Sequence, residues 1–228
     1  QQDSAGSMLE FLEKARSGAI LPTDVIIRYA NYFHDDLTLD NMPRLQLINL
    51  CRYMGIQPYG SDTFLRFQLR HKIRVIKEDD SRILWEGIET LTKMELREAC
   101  QERGMRSTGL SKEAYRRHLQ QWLDLSVNKD IPIALLIMSR TFFLRDDIFE
   151  QKETDESNLS GLADAISGLD KGIVNEAILE AATDAEKMSH PEVRKIKLEV
   201  VSEQNVRIRA EEKEREVAAK KKEAAEKE

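Results

Sequence analysis

The chain has 228 residues, of which 33% are charged, 41% hydrophobic and 6% aromatic, a balance that is typical of helix-rich proteins. No apolar run approaches the roughly 18 residues that a membrane-spanning helix needs, and two cysteines inside apolar patterns do not indicate a disulfide framework. The net charge of −6 hides an asymmetry, because residues 37–77 carry seven Lys or Arg against two acids, and residues 91–126 carry seven against five.

The N-terminal part of the chain predicts two short helices. We expect residues 1–7 to be a disordered leader or a remnant of cloning. Residues 8–18 carry apolar side chains at helical spacing and end at a glycine. Thr23 and Asp24, after Pro22, can cap a second helix.

The next part of the chain contains the same helical hairpin twice. Residues 45–73 align with residues 94–123 at a shift of 49, with one extra residue in the second copy. The aligned pairs are Leu45 and Met94, Leu47 and Leu96, Cys51 and Cys100, Gly55 and Gly104, Ile56 and Met105, Gly60 and Gly109, Leu65 and Tyr115, Arg66 and Arg116, Leu69 and Leu119, and Ile73 and Leu123. Such self-similarity indicates one supersecondary unit used twice. In each copy the pattern predicts an amphipathic helix that ends at glycine, a short loop and a second amphipathic helix.

The segments around the second hairpin also have helical patterns. Residues 79–89 predict a separate linking helix. Thr92 and Glu95 have capping-box spacing at the start of the second hairpin, whose second helix should run from residue 111 to about residue 125. Residues 134–143 are apolar on nearly every side, which predicts a helix buried at the centre of the domain.

The C-terminal third predicts more helix and no strand. Gly168 and Gly172 indicate a break, and from about Glu192 the pattern is that of one long helix, a weak coiled-coil start or disordered chain at its end. We therefore predict an all-α, multi-helix bundle formed by residues 8–185. A long charged C-terminal helix should occupy residues 186–228.

The sequence contains no convincing catalytic or metal signature. Asp124 and Asp130 stand at the first and seventh ligand positions of a calcium-loop pattern. Lys129 and Leu135, however, stand at the sixth and twelfth positions, where Gly and Glu are needed. Pairs of adjacent acids are better explained by capping of helix starts than by acid–base chemistry. These pairs are Asp35–Asp36, Asp79–Asp80 and Asp146–Asp147. We predict a protein that is not an enzyme and that has no catalytic residue, metal site or cofactor.

A basic stripe is the best candidate for a binding surface. Cations recur at helical spacing in the second helix of the first hairpin, and more cations surround the loop of the second hairpin. The candidate polyanion- or nucleic-acid-binding residues are Arg66, Arg70, Arg74, Lys77, Arg103, Arg106, Arg116 and Arg117. Arginine suits phosphates because it presents paired donors; the alternative is a solvated face partly paired with acids. Phe64, Phe67 and Trp122 could stack on bases, but we expect them in the core.

Two resemblances carry this interpretation further. The second hairpin resembles the SAP-type helix–turn–helix, a small nucleic-acid-binding motif. The residues that match this motif are Leu91, Leu96, Gly104, Gly109, Leu119 and Leu123. Longer strings are similar to the LETM-domain family of mitochondrial inner-membrane proteins, in particular its fungal members. These strings are LTLDN (37–41), FLRFQLRHKIRVIKEDD (64–80), ELREACQERGMR (95–106), LQQWLDLS (119–126), IPIALLIMSRTFFL (131–144) and, more weakly, GLDKGIVNEA (168–177).

The resemblance implies a domain that faces the mitochondrial matrix and is anchored in the inner membrane by a segment outside this chain. It implies a 14-3-3-like helical fold that binds mitochondrial ribosomes, through rRNA or a ribosomal protein, and supports translation and membrane insertion of mitochondrially encoded proteins. No small-molecule substrate is evident. Two alternatives stay open: a regulatory part of a potassium/proton or calcium/proton exchanger, and an adaptor that holds a peptide in a groove.

Overall fold

A computed structural model describes residues 5–19, 21–105, 107–146 and 155–225. Every regular element in these ranges is helical, which confirms the predicted all-α bundle. The helices are α1 (Ala5–Arg16), α2 (Thr23–Ala30), α3 (Asp35–Asn41), α4 (Arg44–Tyr53), α5 (Asp62–Glu86), α6 (Lys93–Glu102), α7 (Lys112–Leu123), α8 (Ile133–Asp146), α9 (Asp155–Ser167), α10 (Lys171–Ala181), α11 (Asp184–Ser189) and α12 (Pro191–Ala225). Among the described helices, none has both the length and the apolar character required to cross a bilayer.

Helix α8 lies at the centre of the domain, as its apolar pattern predicts. Residues 131–137 are all buried, and α8 packs against α3, α4 and α9. Met138 is half-buried, whereas the side chains of Phe142 and Phe143 lie outside the described residues. A helix that is apolar all round has no solvent face, so the other elements must surround it.

The two hairpins, α4–α5 and α6–α7, have the same local geometry. Cys51 and Cys100 are fully buried at matching positions, and neither forms a disulfide. The first helix of each hairpin ends before a glycine in the left-handed region, Gly55 with φ 69° and Gly104 with φ 70°. In each case the next amide donates back to the buried cysteine's carbonyl, at 2.8 and 2.9 Å. The repeat is therefore a structural one, closed by the same glycine-dependent turn.

Helix α5 is longer than predicted and joins the two hairpins. It runs without interruption for 25 residues to Glu86 and ends at Gly87, so the separate linking helix predicted over 79–89 is wrong. Asp79 and Asp80 consequently lie inside a helix and not at a helix start. Asp35 and Asp36 do occupy the first turn of a helix, α3, as the capping interpretation expects. Asp147 lies outside the described residues.

The ends of the described chain show further differences from expectation. Helix α1 begins at Ala5, three residues before the predicted start, and Ala5 is fully buried. Its amide donates to Glu186 Oε2 at 3.3 Å, beside the capping box that Glu186 forms with Thr183 at the start of α11. Part of the stretch assigned to a leader thus belongs to the fold. The division of the chain at residues 8 and 186 stays a proposal.

The described contacts of the long helix α12 with the domain lie in its first half. Val193 and Val200 are buried against the bundle, and Lys171 of α10 forms an ion pair with Glu199 at 2.8 Å. Arg207 is half-buried and donates to the carbonyl of Asp40 at 2.8 Å. The other residues between 201 and 210 are exposed. Glu, Lys and Ala dominate the end of this helix, and they favour helix without providing a face to bury.

The burial of α8 generates a stability prediction. Leu135→Asp should destabilise the domain by more than about 4 kcal/mol, because Leu135 is fully buried and the new carboxylate would have no partner. The matched control is Leu198→Asp on the exposed side of α12, which should change the free energy of unfolding by less than about 0.5 kcal/mol. Urea unfolding followed by circular dichroism measures both. Equal effects of the two substitutions would contradict the central position of α8.

Candidate docking surface

Three cations of the predicted basic stripe lie against α3, and α3 supplies their partners. Arg70 Nε contacts Asp36 Oδ1 at 3.0 Å, and the same guanidinium bonds to Asp40. Lys77 Nζ lies 2.7 Å from Asp35 Oδ2. Residue numbers rise along α3 as they fall along α5, so the two helices run antiparallel. These cations hold two helices together and are not a free stripe.

Arg66 binds α3 through backbone atoms. Its Nε donates to the carbonyl of Leu39 at 3.0 Å, and a terminal guanidinium nitrogen donates to the carbonyl of Met42 at 3.5 Å. The last carbonyls of a helix have no partner inside the helix, and they carry partial negative charge that favours a cation. Arg66 therefore caps the C-terminal end of α3.

Asp35 connects the contact between α3 and α5 to the buried helix α8. Its Oδ1 accepts the Ala134 amide at 2.8 Å, in the first turn of α8, while its Oδ2 faces Lys77. The side chain is only 11% exposed. A carboxylate at a helix N-terminus is favourable because the first amides there lack partners. Asp35 thus ties α3, α5 and α8 together.

Arg103 is not a surface residue, contrary to its place among the candidate binding residues. It is 0% exposed, and its guanidinium donates to Asp80 at 2.8 and 2.6 Å, to Asp79 at 2.7 Å and to the Ala99 carbonyl at 2.9 Å. At the 49-residue shift it corresponds to Met54, which is also buried. The second hairpin therefore places a charged anchor where the first has an apolar side chain.

Asp80 is the acceptor on which this buried cluster converges. Besides Arg103, it accepts from Trp122 Nε1 at 2.9 Å and from Ser126 Oγ at 2.8 Å. Trp122 is fully buried, as predicted. We call Asp79, Asp80, Arg103, Trp122 and Ser126 the Asp80 network. It joins α5, α6, α7 and the π-helical turn (Asp124–Asn128) after α7.

The remaining candidate cations differ in their surroundings. Arg116 pairs with Glu89 at 3.0 Å and is 34% exposed. Arg74 and Arg117 are exposed, and neither side chain pairs with any residue in the described ranges. Arg106 lies outside the described residues. The structure therefore does not bring the eight candidates together on one surface.

The aromatic residues of the first hairpin are exposed, so the expectation that Phe64 and Phe67 pack in the core is wrong. Phe67 is 65% exposed and Phe64 37% exposed, and the Phe64 ring lies 5.3 Å from that of Tyr59, centroid to centroid. Phe67, His71 and Arg74 follow Phe64 at steps of three, four and three, which places them on one side of α5. We call Tyr59, Phe64, Phe67, His71 and Arg74 the outer face of the first hairpin.

The segment from Asp124 to Asp130, whose sequence is similar to a calcium loop, forms a turn that is closed by its own side chains. Residues 124–128 form a π-helical turn, and Asp124 is engaged by Lys129 at 2.7 Å and by Asn128 at 3.1 Å. Hydrogen bonds from Lys129 and then Asn128 lower the pKa of the Asp124 carboxyl. Within the described ranges, no group of three or more His, Cys, Asp or Glu side chains could hold a metal ion.

Comparison with known proteins agrees with the family resemblance of the sequence. The family described as "LETM1-like, RBD" matches residues 1–143. A Drosophila melanogaster protein named "Mitochondrial proton/calcium exchanger protein" is 38% identical over 188 residues, covering 82% of this chain and 17% of that relative. The Schizosaccharomyces pombe protein "LETM1 domain-containing protein mdm28, mitochondrial" is 34% identical over 203 residues, covering 89% and 41%. The chain thus spans less than half the length of either relative.

The Asp80 network generates the second prediction. Arg103→Met copies the residue at the equivalent position of the first hairpin, yet it should destabilise the domain by about 3–5 kcal/mol because the buried Asp80 charge loses its partner. Replacing both partners, as Arg103→Met with Asp80→Asn, should recover part of that loss. Arg117→Met, at an exposed cation, is the control and should be nearly neutral. Chemical unfolding of the four proteins tests the scheme, and a neutral Arg103→Met would contradict it.

The third prediction concerns acid stability. Burial raises the pKa of the Asp79 carboxyl, but hydrogen bonds and charge from Arg103 and Arg82 outweigh burial and hold that pKa below its ordinary value. A carboxyl whose pKa is lowered by folding stabilises the protein fully above its unfolded pKa, and this contribution is lost as the pH falls through the folded pKa. Below roughly pH 4, Asp79→Asn should therefore show a weaker decline of unfolding free energy than the wild type.

Urea unfolding at a series of pH values measures this decline. Glu78→Gln is the control, since Glu78 is the exposed neighbour of Asp79 on the same helix. Identical pH slopes for wild type and Asp79→Asn would show that the Asp79 contacts do not stabilise the fold.

Proposed function

Because the chain belongs to the LETM1-like family, we propose that it is the ribosome-docking part of a mitochondrial inner-membrane protein and that it faces the matrix. Its partner is the mitochondrial ribosome. The bound ribosome is thereby held near the membrane, where newly made mitochondrially encoded proteins insert. The domain acts by binding and not by catalysis.

The observation that supports docking most directly is the charge of the first hairpin. Residues 44–77 contain seven Lys or Arg and a single acid, Asp62, which pairs with Arg44. The whole chain nevertheless has a net charge of −6. Cations clustered on an acidic protein concentrate polyanions at one place, and ribosomal RNA carries a phosphate at every nucleotide.

We divide the cations by whether they are already engaged within the domain. Three of them contact α3, and we assign to these three only the positioning of α3 against α5. They are Arg66, Arg70 and Lys77. Arg52 and Arg74 are exposed, and their guanidinium groups pair with no described residue. We therefore assign direct phosphate contact to Arg52 and Arg74, with Arg117 of the second hairpin as a further exposed cation.

A regulatory role in ion exchange is the second candidate. The observation that favours it is the name of the Drosophila relative, a proton/calcium exchanger, which shares 38% identity with this chain. The two functions can be separated in the intact protein. Substitutions that abolish ribosome binding and leave mitochondrial calcium and proton flux unchanged support docking, and the opposite pattern supports the exchanger role.

The fourth prediction concerns ribosome binding and salt. The chain should co-sediment with mitochondrial ribosomes, and its affinity should fall steeply as salt rises because phosphate contacts release counterions. Arg52→Gln with Arg74→Gln should weaken binding and reduce the slope of log K against log salt by about two, one for each lost phosphate contact. Reversal of Arg66 and Arg70 is a poorer test, since it would also disrupt their contacts with α3.

The control is Arg194→Gln with Arg209→Gln, which removes the same charge from exposed positions on α12. It should leave the affinity and the salt slope nearly unchanged. Equal losses from both pairs would mean that only net charge matters, and binding that survives Arg52→Gln with Arg74→Gln would remove the first hairpin from the contact.

A further inference from the structure

The first hairpin exposes every aromatic ring it has. Residues 44–77 contain Tyr53, Tyr59, Phe64 and Phe67, which are 42%, 60%, 37% and 65% exposed. The second hairpin has the rings of Tyr115 and Trp122 in the equivalent helices, and both are buried. Single exposed apolar residues are common on protein surfaces. The exposure of all four rings of one repeat requires a reason, because the rings of the other repeat, at different aligned positions, are buried.

The exposed rings form part of an ordered row. The Tyr59 and Phe64 rings lie 5.3 Å apart with their planes tilted by 45°. Phe67, His71 and Arg74 continue the row along one side of α5, and successive members rise by roughly 4.5–6 Å along the helix axis. Gly60 brings the loop close enough for the first contact, because a side-chain carbon at this position would lie 3.0 Å from the Phe64 ring.

Positive charge surrounds this row. Arg74 is exposed at its end and pairs with no described residue. Arg66, on the α3 side of the same helix, donates to the carbonyl groups of Leu39 and Met42 and not to a carboxylate, so these contacts leave its charge in place. Flat rings interspersed with cations are the combination that binds single-stranded nucleic acid, because bases stack on the rings while cations follow the phosphates.

We propose that the outer face of the first hairpin binds a single-stranded segment of ribosomal RNA, with bases stacked on Phe64 and Phe67 and phosphates held by Arg74. This inference rests on the proposed docking function and names the ribosomal component that is contacted. Duplex RNA suits the face less well, since duplexes are recognised by shape and backbone and keep their bases stacked inside.

An anionic membrane is the competing partner, and the charges along α5 argue against it. Interfacial helices present a broad apolar side bordered by cations. On α5 the two rings are followed on the same side by His71 and Arg74, and the exposed acids Glu78 and Glu86 lie further along the same helix. A flat anionic surface in contact with the whole helix would be repelled by these acids, whereas a flexible strand can contact the basic half alone.

The experiment compares two aromatic removals on one helix. Phe64→Ala with Phe67→Ala removes two rings of the row. Trp85→Ala is the matched control, because Trp85 is 88% exposed on the same helix but lies next to Glu86, about 27 Å from Phe67 along the axis. All these side chains are exposed, so folding should be preserved, and circular dichroism of each variant verifies this.

Binding of the 228-residue chain is measured by fluorescence anisotropy with a labelled oligouridine of about 12 nucleotides, a length within the range that single-strand sites cover. Loss of two stacking contacts should weaken binding at least about tenfold in the double variant, and Trp85→Ala should change it less than about twofold. Phe64→Tyr with Phe67→Tyr keeps both rings and should restore binding. The same proteins are tested on duplex RNA, on vesicles of anionic phospholipid and on ribosomes.

The outcomes separate this inference from the function on which it rests. Oligouridine binding that depends on Phe64 and Phe67, together with loss of ribosome binding in the same variant, supports the inference. Ribosome binding that survives the double variant overturns the inference and leaves the docking function standing. Vesicle binding that depends on the rings while oligouridine binding does not would assign the face to the membrane and overturn it. A wild-type chain that binds no ribosome overturns the docking function itself.

Discussion

The arrangement of the two hairpins depends on one buried carboxylate. Asp80 is 1% exposed and accepts hydrogen bonds from Arg103, Trp122 and Ser126. A buried charge is tolerated only when it is paired and fully hydrogen-bonded. The donors come from α6, α7 and the turn after α7, so satisfying Asp80 also fixes the second hairpin against α5. Because α5 belongs to the first hairpin, the two repeats are held in one arrangement.

The same constraint explains why two similar hairpins can have different tasks. In the second hairpin Arg103, Tyr115 and Trp122 face inward and anchor the unit. In the first, Met54 fills the position equivalent to Arg103, and the aromatic rings are left outside. One copy therefore fixes the geometry, and the other presents a surface.

Helix α3 determines how much of the basic stripe is available to a partner. Its acids pair with Arg70 and Lys77, and Arg66 caps its end. Exposed ion pairs contribute at most about 1 kcal/mol each, so the buried side chains of α3, such as the fully buried Leu39, hold the helix in place. The ion pairs set its direction along α5. Arg74 stays exposed because the acids of α3 pair with Arg70 and Lys77 and not with Arg74.

The sequence predicts the fold better than the surface. Apolar periodicity and glycine positions identify both hairpins, the buried α8 and the break between α9 and α10, since these signals are local. Helix α3 is too short for periodicity to detect. Helix α11 was also missed, although its capping box at Thr183 and Glu186 can be recognised in the sequence. The burial of Arg103 could not be predicted, because its partner Asp80 lies 23 residues away. The exposure of Phe67 could not be predicted either. Helix α5 has apolar side chains on two sides, and the sequence does not specify which side the neighbouring helices cover.

The most direct measurement of the docking account is photo-crosslinking from defined positions on α5 to bound mitochondrial ribosomes. A benzophenone side chain replaces Phe67 in one protein and Trp85 in another, and the ribosomal component attached after irradiation is identified by sequencing and mass spectrometry. The account predicts crosslinks to ribosomal RNA from position 67 and few from position 85. Crosslinks from position 85 alone, or from position 67 only to lipid, would contradict it.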